Sequence, residues 1–230
     1  CSPFDGSKLS LPDHGIMALH TLPGVSAYFD IQLSDVGTGF DIADQTYNGW
    51  CLENDQPNTD RSASVRAYSS YDPGMPLDMR TYQDPNIPKV ASGKVQIGDP
   101  IPWDKVNYVL NHKQWHFNDV EAAIHVLVWG ESIEPPLTDR GRAIVADAEA
   151  NGAGFVPQPG QIMAVVLYAD GIGVAGSSGD TVRQYQDTII EVPVPVPSGG
   201  YVNIGTVTAL DALGSVHSAQ DRVDFSLLTP

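Results

Sequence analysis

Cysteine is nearly absent from this chain, with two in 230 residues, at positions 1 and 51. A multiply stapled disulfide framework is thereby excluded, and a single Cys1–Cys51 bridge is the most that could form. Basic residues are also scarce: 12 Lys and Arg stand against 28 Asp and Glu, for a net charge of −16. Such a surface repels nucleic-acid backbones and anionic membranes, so neither is expected as a partner. No apolar run approaches the roughly 20 residues that cross a bilayer, so no membrane span is expected. There is no Asn-x-Ser/Thr sequon and no Gly-x-Ser-x-Gly elbow; "GSSGD" at 176–180 reads as a plain loop. Phosphate-cradling glycine motifs are missing too, and no cofactor is expected.

What is present suits a β protein outside the cell. The chain is 42% hydrophobic and only 17% charged, with 22 glycines and 18 prolines. It begins "CSPFDGSK". A leading cysteine before a small residue is the pattern of a processed bacterial lipoprotein, which makes Cys1 a lipid-anchor or disulfide candidate. The alternative is a boundary of another origin. Residues 1–15 read as an N-terminal arm or anchor, and 16–230 as a single β-rich domain.

Strands are expected at 15–22 and 25–33, around the turn dipeptide Pro23-Gly24. In the second, Val25, Ala27, Phe29, Ile31 and Leu33 alternate with polar or aromatic neighbours, the period of a half-buried strand. Another is expected at 62–71. The stretch between them is turn-rich and includes Asn48-Gly49, and 71–93, with four prolines, reads as a long surface loop. Helical spacing follows at 102–113, at 118–130 with Asn118 as N-cap and Gly130 as stop, and at 138–152 with Thr138 as N-cap. Strands resume at 161–169, 187–197, 201–210 and 222–228. Pro193, Pro195 and Pro197 mark the second of these as an edge strand or polyproline-like arm. The fold class expected is mostly β: a barrel or sandwich with a three-helix insertion at about 102–152.

Few residues cluster as a catalytic or metal site would. His112 and His116 are four apart and could share a helical face, but no third zinc ligand is spaced near them. Glu53, Asp55 and Asp60 crowd one loop and are weak candidates for calcium, without the glycine and spacing of an EF-hand; a solvated acidic loop accounts for them as well. No metal is expected. A Cys–His dyad would need a histidine brought to Cys51 by the fold.

One relation between distant segments is more informative. "YNGWCLE" (47–53) closes the first β region, "NYVLN" (107–111) follows on a helix, and "VEAAIH" (120–125) on the next. This order resembles the thioester domains of bacterial surface adhesins. There a cysteine in a "YC" or "WC" strand is followed by a Tyr-Ile-Leu-Asn helix and then by a Thr-Gln-x-Ala-Ile-Trp helix. In that family the cysteine and the glutamine form an internal thioester that can capture an amine on a host surface. The resemblance covers roughly 47–130, about a third of the chain. It assigns the cysteine to Cys51. It also shows two departures: Glu121 stands in place of the glutamine and His125 in place of the tryptophan. A carboxylate is a poor acyl donor to a thiol, so no thioester is expected, and Cys51, Glu121 and His125 read as its relic. A Lys–Asx isopeptide remains open, with only five lysines (8, 89, 94, 105 and 113) to supply it.

These readings converge on a non-enzymatic extracellular or cell-surface protein, structural or adhesive. Its expected partners are copies of itself, in a fibre, or a cell-surface ligand. Leu9 and Leu11 in the N-terminal arm, and Val192, Val194 and Val196 in the valine-proline arm, are the assembly candidates, through strand addition to a neighbour. The rival classes are a covalent or ligand-binding adhesin of thioester-domain type and a secreted hydrolase working with paired carboxylates.

Overall fold

The computed structural model describes residues 9–21, 28–52, 62–82, 98–130, 135–169, 172–175, 180–183, 187–196, 201–210 and 216–225. Strands β1 (Gly15–Thr21), β2 (Tyr28–Ser34), β3 (Thr46–Cys51) and β4 (Ser62–Ser69) come first. Helices α1 (Leu77–Arg80), α2 (Trp103–Asn111), α3 (Phe117–Trp129) and α4 (Asp139–Asn151) follow. Then come β5 (Ile162–Ala169), β6 (Ile172–Ala175), β7 (Asp180–Arg183), β8 (Thr188–Pro193), β9 (Tyr201–Leu210) and β10 (Val216–Phe225). Six strands close an antiparallel barrel in the order β1-β2-β3-β8-β5-β4. The pairs β6/β7 and β9/β10 form separate antiparallel two-stranded sheets. The protein is thus a mostly β barrel.

The sequence pattern explains how the barrel is covered. On β1 and β2, Met17, Leu19, Phe29, Ile31 and Leu33 fill the interior while Gln32 faces solvent, so these strands alternate. On β5 the apolar run is continuous. Met163, Val165 and Leu167 point into the barrel, and Ala164 and Val166 point out into a second core built with the helices. Ile190 and Ile189 divide in the same way on β8, as do Cys51 and Trp50 on β3. Strands buried on both faces lose their polar alternation.

Two asparagines join α2 to the barrel. Asn107, fully buried, accepts from Ala164 N at 2.8 Å through Oδ1 and donates to Ser70 Oγ at 2.9 Å through Nδ2. Asn111 accepts from Ile162 N and donates to Ile162 O, both at 2.8 Å. The two stand one helical turn apart and bond β5 residues two apart, so a helix face meets backbone groups near the start of β5.

Several expectations need correction. Four helices, not three, stand between β4 and β5, because α1 lies inside the stretch read as a surface loop. Asn48-Gly49 makes no turn and lies within β3. A Cβ at Gly49 would sit 2.1 Å from Ile31 Cδ1 and 3.2 Å from the Ile189 carbonyl oxygen, so the glycine serves close packing. The segment read as an edge strand is β8, which pairs with β3 on one side and β5 on the other; Pro193 is tolerated because it is the last residue of the strand. α3 is capped by His116, whose Nδ1 accepts from Asn118 N at 3.2 Å, and not by Asn118. Gly130 (φ 81°) and Thr138 do cap as expected. Strands β6 and β7 had no signal in the sequence reading, and β10 begins six residues before the expected 222.

The packing at Gly49 gives a stability prediction. Gly49→Ala should lower the urea midpoint, at a cost of about 1–3 kcal/mol from overpacking. With Ile31→Ala, which removes the obstructing atoms, the double variant should be more stable than the sum of the single changes predicts. Additive losses would show that the clash is not with Ile31.

Candidate functional site

β3 carries Trp50 to the helix side of the barrel wall and Cys51 to the interior side, where Cys51 is buried. Its end is held from several directions. The Leu52 amide donates to Asp187 O at 3.0 Å, and the Trp129 indole N–H donates to the Leu52 carbonyl. Trp50 Nε1 donates to Glu191 Oε1 at 2.8 Å, and Lys113 Nζ meets the same carboxylate at 2.6 and 2.5 Å. Strand, C-terminal end of α3 and the α2–α3 connection are thereby tied around Cys51.

α3 is not an amphipathic surface helix. Eleven residues from Phe117 to Val128, polar Asp119, Glu121 and His125 among them, are buried. On a surface helix Glu121 and His125, four residues apart, would form an exposed pair that contributes little. The fold instead leaves them 0% and 1% exposed, with His125 Nε2 3.1 Å from Glu121 Oε1. The Glu121 carboxyl also lies by the Cys51 backbone amide. Neither carboxyl oxygen gains a well-aligned hydrogen bond among the described residues. Burial is the strongest influence on this group and raises its pKa; the His125 ring and the Cys51 amide pull the other way without cancelling it.

Residues 70 positions apart in the chain, Cys51 and Glu121, thus meet at the barrel wall. Chemically, a carboxyl whose protonated form is favoured meets the backbone of Cys51, whose buried side chain lies on the barrel side of the wall. No disulfide involves Cys51 among the described residues, and Cys1 lies outside them. Glu53, Asp55 and Asp60 also lie outside the described residues. His112 ends α2 while His116 begins α3, so they share no helical face. Leu9 and Leu11 lie half-buried against the barrel core, Val192 and Val194 are within it, and Val196 is half-buried. Lys105 pairs with Glu149 and Lys113 with Glu191; Lys8, Lys89 and Lys94 lie outside the described residues.

Sequence reasoning missed Glu191, Lys113 and the two asparagines as parts of this architecture. Asn107 and Asn111 had a signal in their spacing, polar residues four apart on an otherwise apolar helix face. Glu191 had one too, as a lone acid in "TIIEVPV".

The fold and the cluster define a class: a small antiparallel barrel with a helical layer on one wall and a buried Glu–His pair set against the end of β3. Comparison of the chain with protein-family models, with curated proteins and with solved structures finds no match in any of the three.

Two measurements follow from these geometries. A raised pKa means that the unfolded chain releases the Glu121 proton first, so this group's contribution to stability falls as pH rises from about 4.5 through its folded value. In a Cys51→Ala background, Glu121→Gln should therefore flatten the acid-to-neutral part of the stability–pH curve and raise stability at neutral pH. An unchanged slope would show that the carboxyl titrates normally. Separately, Lys113→Met should cost about 3–5 kcal/mol in chemical denaturation, since it strands the buried Glu191 carboxylate. Lys105→Met, at the more exposed Glu149 pair, should cost no more than about 1 kcal/mol.

Proposed function

We propose that this protein is a non-enzymatic adhesive module of an extracellular or cell surface, built on a thioester-domain-like scaffold whose covalent chemistry has been lost. The observation that carries the reading is the placement of the buried Glu121 carboxyl against the Cys51 amide. Here a helix acid meets the backbone of a strand cysteine, where the adhesins that the motifs resemble pair a glutamine with a cysteine. The helices after β4 act, on this reading, as an insertion that closes the site over the barrel wall. The missing amide accounts for the lost chemistry. When a thiol attacks a carboxamide, the sulfur–carbon bond forms, the carbon–nitrogen bond breaks and ammonia leaves. From a carboxyl the leaving group is water or hydroxide, and the thioester lies uphill of the acid.

Burial also argues against turnover. Cys51, Glu121 and His125 are all at or below 5% exposed, so a substrate would reach them only by displacing what covers them. Recognition of a cell-surface ligand would then fall to non-covalent contacts elsewhere on the molecule. Self-assembly into a fibre draws no support from Leu9, Leu11, Val192 or Val194, which pack against or within their own barrel. No described helix is long and apolar enough to cross a membrane.

Intact-mass spectrometry tests the reading. The natural protein should have its full sequence mass at these residues and one thiol that reacts only after unfolding. Glu121→Gln should yield a fraction lighter by one ammonia, and Cys51→Ala in the same variant should abolish that fraction. If folded Glu121→Gln retains its full mass, the thioester scaffold is the wrong parentage for this site.

A further inference from the structure

A second site lies away from the Cys51 cluster, between α2 and α4. It is a cleft of about 250 Å³ whose lining includes Tyr108, Val109, His112, Trp115, Ile144 and Asp147. Asp147 is its only acidic or basic side chain other than His112. The Asp147 carboxylate accepts from Asn151 Nδ2 at 2.7 Å and stands 3.4 Å from the Tyr108 hydroxyl. Among the described residues no Lys, Arg or His ion-pairs with it, although Glu149, two residues along the helix, is held by Lys105 at 2.6 Å. The carboxylate is half-buried, so its charge is incompletely screened by water.

The aromatic lining is held in place. His112 stacks on Tyr108 with ring centroids 4.0 Å apart, and Phe155 meets both rings edge-on at 5.6 and 5.7 Å. The His112 Nδ1–H donates to the Tyr108 carbonyl at 2.8 Å. Trp115 has φ of 65°, a left-handed backbone that a bulky residue rarely adopts. It is held on both sides, by the Lys113–Glu191 pair before it and by the His116 cap of α3 after it. Strain of this kind concentrates where a side chain is positioned for contact. Val109 and Ile144 supply an apolar wall.

The chemistry of the lining selects among ligands. A carboxylate with no ion-pair partner among the described residues, in a chain of net charge −16, repels anions and attracts cations. One carboxylate is too few oxygen ligands for calcium or magnesium. Aromatic faces bind ammonium groups well, and apolar walls suit methylenes. The volume is below the roughly 300–1,000 Å³ of drug-sized pockets and fits a side-chain-sized group. We propose that the cleft between α2 and α4 binds a primary alkylammonium, either a free small amine or the lysine side chain of a partner protein. The ammonium sits between Asp147 and the aromatic faces of Trp115 and Tyr108, and the methylene stem lies along Val109 and Ile144. The proposal does not rest on the fate of the Cys51–Glu121 site.

The test is a titration of the full chain with butylammonium chloride at low ionic strength, followed by tryptophan emission and amide NMR shifts. Saturable binding is expected, with shifts clustered at Tyr108, Trp115 and Asp147. Asp147→Asn, a near-isosteric change on a partly exposed helix face, should weaken it about tenfold or more while leaving the melting curve in place. Butanol, which keeps the stem and lacks the charge, should not saturate the site. N-acetyl-lysine amide distinguishes the sources: binding tighter than that of butylammonium points to a partner's lysine, and equal or weaker binding to a free amine. The proposal is overturned if butylammonium fails to saturate, if butanol binds as well, if Asp147→Asn binds unchanged, or if a neutral sugar such as glucose produces the same shifts at lower concentration.

Discussion

Burial of the β3–β8–β5 wall on both faces is the constraint from which the other features follow. A six-stranded barrel can fill its own interior with Met17, Phe29, Ile31 and Leu167. It cannot cover the outward Ile189, Ala164, Val166 and Trp50 without a second layer. The helices are that layer, and α3, pressed against the wall and flanked by α2 and α4, is enclosed nearly all round. Every polar group on α3 must then be matched inside the protein or carry the cost of dehydration.

That requirement determines the polar chemistry. Asp119 receives the Thr138 hydroxyl, which ties α3 to the cap of α4. Among the described residues His125 and the Cys51 amide are the polar groups that act on Glu121, and its carboxyl is pushed toward the protonated form. At the barrel wall, Glu191 is the mirror case: a buried carboxylate fully matched by Lys113 and the Trp50 indole. Both acids meet the end of β3, one satisfied and one not. A residue so poorly matched marks a place where stability has been given up, for which the proposed thioester-like parentage would be one reason.

Much of the scaffold was legible in the chain. Period-two alternation marks β2, and the apolar repeats with Pro102, Thr138 and Gly130 locate α2, α3 and α4. What misled were local signals with two meanings. Asn48-Gly49 spells a turn, yet Gly49 is there because Ile31 occupies the space of a side chain. Alternating prolines spell an edge, yet only Pro193 belongs to β8, at its last position. Short α1 was hidden among prolines because a four-residue helix has no periodicity to display.

The sequence by itself determined which residues are apolar and at what spacing, and so most element types and the mostly β character. Only the tertiary structure decided that Glu121 and His125 are wholly buried, that β8 is central, and that Asp147 and Trp115 share a cleft. The reason is physical. Periodicity states which face of an element is apolar, but a helix buried all round and a strand covered on both sides are defined by what packs against them. Those neighbours arrive from distant parts of the chain: Trp50 and Glu191 are 141 residues apart.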